Sequence, residues 1–227
     1  MKTRFLFDVE AQGLHKEGFA YGYVVAQINT ATMELTTLEQ GECYSILGAK
    51  GAGEWVQKNV LPALSMLTPY LAGDTALLDA TKLPNEIVLT TKELRDKFYE
   101  TYMRWKAKDT KENPVEFWSD VNFPVETNFL SAVVADGNGD RDWKMPYPLH
   151  DVANDVHVDI NRANYSGLVG LREHNPLDDS LASLYSLHNH ELAEFKKNKL
   201  NEDKKVANNS ASNDEVKSEV KRPTLFS

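Results

Sequence analysis

The chain has 227 residues, 41% of them hydrophobic, with a formal net charge of −9. This length points to one domain with a sizeable core, and the acidity argues against a protein that wraps long duplexes by neutralising phosphates. No apolar run approaches the roughly 18 residues that span a bilayer, and the single cysteine, Cys43, excludes an internal disulfide or a cysteine-rich zinc site.

Thr3 to Glu10 reads as a strand, Phe19 to Asn29 as a second and Met33 to Ile46 as a third, each rich in β-branched or aromatic residues. Short turns between them predict an antiparallel meander. In the first strand Asp8 and Glu10 interrupt the apolar run, so a secretory signal is not expected, and the cytoplasm is the default location. Alternate strand residues share a face, so the two carboxylates point the same way. Like charges that close need something positive between them, and a hard divalent cation suits oxygen donors. The competing reading is two acids on a solvent-facing edge strand.

"GAKGAG" (Gly48–Gly53) lacks the Gly-Lys-Ser/Thr ending of a phosphate loop and reads as a plain loop. Glu54 to Thr68 has helical apolar spacing at Trp55, Val56, Val60, Leu61, Leu64 and Leu67, which predicts a buried stripe. Thr91 to Lys106 predicts a second amphipathic helix, with Leu94, Phe98, Tyr102 and Trp105 towards the core. Val115 to Asp120 reads as a short strand, Pro124 to Val134 as a helix, Asp136–Pro148 as a loop and Leu149 to Val152 as another strand. Pro176 to about Phe195 predicts a strong helix with Asn175 as its cap. His188, His190 and His150 read as structural or surface residues. From Lys196 the composition turns to Lys, Asn, Ser, Asp and Glu, and residues 196–227 read as a flexible, net-basic tail beyond a domain of residues 1–195.

"GLREHNPLDDSLASLY" (Gly170–Tyr185) places His174 on a loop and Asp179 in the first turns of the last helix. A loop histidine titrates near neutral pH, and an aspartate on a helix can hold a metal. That division of labour suits water-activated phosphodiester hydrolysis.

"FDVEAQGL" on a first strand and "EHNPLDDSLASLY" at a last helix, in that order, resemble the DEDDh family of 3′–5′ exonucleases. The resemblance implies a ribonuclease-H-like α/β fold, a mixed central sheet that begins as an antiparallel meander and is flanked by helices. "YPLHDVA" (Tyr147–Ala153) resembles the segment between the family's second and third motifs. The middle motif departs from the family pattern: aligned on "NFL" in "FWSDVNFPVETNFL" (Phe117–Leu130), Asn122 and Glu126 take the asparagine and aspartate positions, and Asp120 competes with Glu126. The resemblance implies two Mg²⁺ or Mn²⁺ ions on Asp8, Glu10, Asp179 and Glu126 or Asp120, with His174 as the base. It puts Gly13 and Leu14, together with Asn122, at the terminal nucleotide of single-stranded DNA or RNA. The product is a 5′-mononucleotide. An exoribonuclease, a silent nucleic-acid-binding module on the same fold and a proofreading accessory subunit are the alternatives.

The chain ends "KRPTLFS" (Lys221–Ser227), where Leu225 and Phe226 resemble the short peptides with which replication proteins bind sliding clamps, although no glutamine leads this one. A tethered apolar plug raises effective concentration at a partner, and this peptide tilts the substrate towards DNA.

Overall fold

A computed structural model describes residues 1–73, 75, 78–141, 149–155 and 166–218, the side chains of Asp155 and of 206–218 excepted. Leu225 and Phe226 therefore lie outside the described residues, as does most of the Asp136–Pro148 loop and part of "YPLHDVA". Two compact units divide the chain, Met1–Asn189 and His190–Ser227, and every candidate site residue among those described belongs to the first.

The meander is present as β1 (Lys2–Ala11), β2 (Gly18–Ile28) and β3 (Leu35–Ser45). β1 pairs antiparallel with β2 and β2 with β3. Helices α1 (Ile46–Lys50), α2 (Glu54–Asn59) and α3 (Thr68–Leu71) follow, then the edge strand β4 (Ile87–Val88), parallel to β3. Helix α4 (Thr91–Lys106) leads to β5 (Val115–Ser119), parallel to β1, and α5 (Thr127–Ala135) to β6 (His150–Asp151), parallel to β5. Helices α6 (Val152–Asp155) and α7 (Pro176–Ser218) complete the described chain. The result is a six-stranded mixed sheet in the order β4-β3-β2-β1-β5-β6.

The alternation of β1 sorts its side chains onto two faces. Phe5, Phe7 and Val9 enter an aromatic core with Phe98 and Tyr102 of α4, Phe117 of β5 and Phe129 of α5. The Phe7 and Phe117 rings stack at 5.0 Å and those of Tyr102 and Phe117 meet at 4.7 Å. Such side chains contribute roughly 1.5–3 kcal/mol each on full burial. Leu6 lies on the other face, with Val24, Ala26 and Trp118, packed against Leu184 and Leu187 of α7. Asp8 and Glu10 continue that second face towards the end of the strand.

Helix α4 starts where its capping box predicts: the Thr90 hydroxyl accepts the Glu93 N–H, and the Glu93 carboxylate accepts the Thr90 N–H at 2.8 Å. The single helix expected over Glu54–Thr68 is instead broken after Asn59. Pro62 has no N–H to continue the ladder, and a short 3-10 turn (Leu61–Ala63) replaces it. The Gly-rich stretch is partly helical, since α1 runs to Lys50. The remaining turn clamps the end of β1: the Gln12 amide donates to the Gly48 carbonyl at 2.9 Å, and the Gly53 N–H donates to the Gln12 carbonyl at 3.0 Å. A Cβ on Gly51 would lie 2.5 Å from Gln12 Nε2.

At the C-terminus the helix expected to stop near Phe195 continues to Ser218, where a flexible tail is anticipated. Between Lys196 and Ser218 there is neither Pro nor Gly to break it, and Pro223 is the first such residue beyond. No helix among the described residues is long and apolar enough to cross a membrane.

Candidate metal centre

Strand β5 pairs with β1 only as far as Ser119 opposite Phe7. Asp8 and Glu10 therefore extend beyond their parallel neighbour, at the carboxyl end of the strands where the sheet leaves an open crevice. Across the antiparallel ladder Asp8 faces Gly22. A Cβ on Gly22 would lie 2.1 Å from the Leu177 N and 2.2 Å from the Pro176 carbonyl carbon. Glycine here lets the first turn of α7 rest directly on β2, and the Ser180 hydroxyl fixes it with a hydrogen bond to the Gly22 carbonyl at 3.0 Å.

The start of α7 is set by Asn175, whose side-chain oxygen accepts the Asp178 N–H at 3.1 Å. The two neighbouring aspartates then divide. Asp178 turns back to the loop and takes the Arg172 guanidinium at 2.8 Å, while Asp179 joins Asp8 and Glu10. One carboxylate oxygen from each of these three lies within 4.8 Å of the others.

Two more acids stand close by. Asp120, just past β5, is 6% exposed and accepts a hydrogen bond from Ser183 of α7. Glu126 is 5% exposed at the start of α5. Burial pushes the Asp8 carboxyl well above the ordinary carboxylate range, and Glu126, Asp179, Glu10 and Asp120 push it in the same direction. Burial likewise raises Glu126 to about 8, with Asp120 and Glu10 adding to the rise, although the backbone N–H groups of Glu126 and Val9 favour its charged form. Both middle-motif candidates thus converge on Asp8, Glu126 acting on it more strongly than Asp120. Glu10 is raised by burial and held down in part by His174.

His174 Nδ1 lies 3.7 Å from Glu10 Oε1. The contact with Glu10 raises the imidazole above its usual value despite partial burial. The residue sits in the left-handed region at φ 62°, on the loop tied down by Arg172 and Asn175. Beside Glu10 a cavity of about 500 Å³ is lined by Gly13, Leu14, Gly53, Trp55 and Val125, among others. Leu14 is 65% exposed there.

Asn122, expected at the substrate, is a strut between β5 and β6. Its side chain accepts from the Ser119 hydroxyl at 2.7 Å and donates to the Leu149 carbonyl at 2.9 Å, while its N–H meets Asp151 at 2.6 Å. Gly22, Ser183 and Asp151 carry no signal in the sequence, because their roles depend on contacts between distant segments. Trp55, expected on the buried stripe, is 61% exposed, and its ring stands against His174.

The donors fit a metal ion: hard carboxylate oxygens from one buried and two half-buried side chains, with the charge of Asp8 opposed by its acidic neighbours as well as by burial. Asp8, Glu10 and Asp179 could hold it. No family model and no curated protein matches this chain.

Proposed function

We propose that the chain is a divalent-metal-dependent 3′–5′ exonuclease of the DEDDh kind, on a ribonuclease-H-like fold, acting on single-stranded ends with DNA as the favoured substrate. The observation that carries this reading is the convergence of Asp8, Glu10 and Asp179 within 4.8 Å, with His174 at the rim. Support comes also from the sheet order β3-β2-β1-β5-β6, with a meander first and parallel strands after, and from acids at the carboxyl ends of β1 and β5.

Bound Mg²⁺ or Mn²⁺ would supply the positive charge that polarises the attacked phosphate and stabilises the leaving oxygen. The chain's own residues do the rest. Asp8, Glu10 and Asp179 fix the charge at one place, and α7 on Gly22 sets the spacing. His174 presents Nδ1 towards Glu10, so Nε2 is the nitrogen that accepts the proton of the attacking water. Water adds to phosphorus, the bond to the 3′ oxygen of the preceding nucleotide breaks, and that oxygen takes up a proton. A 5′-mononucleotide leaves and a new 3′ hydroxyl remains. Gly13 and Leu14 border the cavity in which the terminal nucleotide is placed.

The test is product analysis on 5′-labelled single-stranded DNA and RNA of one sequence with Mg²⁺ or Mn²⁺, comparing wild type with Asp8→Ala. A ladder that shrinks from the 3′ end and is absent in the variant is the expected result, and the faster substrate assigns DNA or RNA. No metal-dependent ladder on either substrate would overturn the reading in favour of a silent nucleic-acid-binding module. A pull-down with a sliding clamp, with and without residues 221–227, tests the terminal peptide, and equal recovery removes that role.

A further inference from the structure

Trp55 is the second residue of α2, and its neighbours Val56 and Val60 are buried as an amphipathic helix requires. Trp55 itself is not: the residue is 61% exposed, so the fold does not need it for core packing. Its ring instead stands edge to face against the His174 imidazole, with centroids 5.6 Å apart and planes at 84°, a favoured aromatic geometry.

His174 needs such a neighbour. Its side chain is one-third exposed, on a loop, and its approach to Glu10 at 3.7 Å is too long for a directional hydrogen bond. A charge contact at that distance attracts the ring without fixing its rotation. The backbone that carries the indole, by contrast, is tied to the sheet. Gly53, directly before α2, donates its N–H to the carbonyl of Gln12 at 3.0 Å, and Gln12 follows Glu10 by two residues. Glu10 and Trp55 are thus fastened to the same strand end, and the imidazole is braced between them.

We propose that Trp55 is a positioning residue that holds the His174 ring in its proton-accepting orientation beside Glu10. This rests on the exonuclease reading, since it assigns His174 the role of base. Trp55 also lines the cavity beside Glu10, so the group that aligns the base borders the space a terminal nucleotide enters.

The experiment is single-turnover and steady-state kinetics of nucleotide release from single-stranded DNA with Mg²⁺, comparing wild type, Trp55→Ala, Trp55→Phe, His174→Ala and the Trp55→Ala/His174→Ala double variant. A loose base costs turnover: Trp55→Ala lowers kcat by about ten- to a hundredfold, the scale of a misplaced catalytic group, and Trp55→Phe recovers most of the loss. In the His174→Ala background, removing the indole changes kcat by about twofold or less, because the two act as one unit. The His174 ring protons, shifted by the indole ring current in wild type, move in Trp55→Ala whatever the activity. A rise in KM at unchanged kcat, or losses that multiply in the double variant, would reduce Trp55 to a wall of the cavity and overturn the proposal. A wild type that releases no nucleotide refutes the exonuclease reading itself, and the positioning role with it.

Discussion

Replacing Asp8 by Asn should make the protein more stable and inactive at once. Every influence on the Asp8 carboxyl opposes its charge: burial first, then Glu126, Asp179, Glu10 and Asp120. Two unit charges 4.8 Å apart, the outer limit within the Asp8, Glu10 and Asp179 group, repel by about 3.5 kcal/mol at an effective dielectric of about 20. Three such pairs would approach about 10 kcal/mol, comparable with the whole stability of a domain. The cluster therefore holds a proton or a cation, and either way its charge is costly. Asn keeps the shape and removes one charge. We expect a gain of about 2 kcal/mol in chelator, read as a rise of about 4–8 °C in Tm for a chain of this size. Millimolar Mg²⁺ should stabilise the wild type by about 2–3 kcal/mol if it is present at roughly a hundred times its Kd. The variant should show almost none of that shift. The assay is thermal unfolding of both proteins at about pH 8, where Glu126 titrates, with and without Mg²⁺. A variant less stable than wild type in chelator, or an equal Mg²⁺ shift in both, would refute the reasoning.

Gly22→Ala should displace the start of α7, because the new Cβ would lie 2.1 Å from the Leu177 N; nucleotide release should fall about a hundredfold or more, with a lower Tm by circular dichroism. Glu126, raised from 4.5 to about 8, binds a proton in the folded protein that the unfolded chain has lost, so its contribution lowers stability as pH rises through that window. In chelator, Glu126→Gln should flatten the fall of Tm across this range, and in wild type the apparent Mg²⁺ affinity should climb over the same range. Glu39 behaves oppositely: the Arg104 guanidinium holds it at about 2 against an ordinary 4.5, with Tyr23 and Trp105 assisting. Its stabilisation is complete above 4.5 and disappears as pH falls through about 2. Discounted for its partial exposure, it amounts to about 1 kcal/mol, so Arg104→Ala should lose that much at neutral pH and almost nothing near pH 2 in acid titration.

How far the sequence discloses this molecule depends on how local each cause is. The meander strands follow from alternation and turn residues, and α4 begins and ends where Thr90, Glu93 and its apolar stripe place it. Pro62 shows why a stripe alone misleads: the spacing from Trp55 to Leu67 fits a helix, but the backbone there lacks a donor and turns instead. Asp8, Glu10, His174 and Asp179 stand out as candidates by residue type and spacing, and the fold brings the three acids together within 4.8 Å. Gly22 does not stand out, since its meaning lies in a helix more than 150 residues later that rests on it. Trp55 is indistinguishable from a core residue until His174 is seen against its ring. The contacts of Asn122 are equally hidden: its type suits a ligand contact, and only the fold shows Ser119, Leu149 and Asp151 bonded to it.

The most direct test of the central claim is anomalous scattering from crystals of the protein soaked in Mn²⁺. The account predicts a peak bounded by the carboxylates of Asp8, Glu10 and Asp179, lost in Asp8→Asn. Mn²⁺ that binds only elsewhere on the chain, or a peak that survives the substitution unchanged, would contradict it.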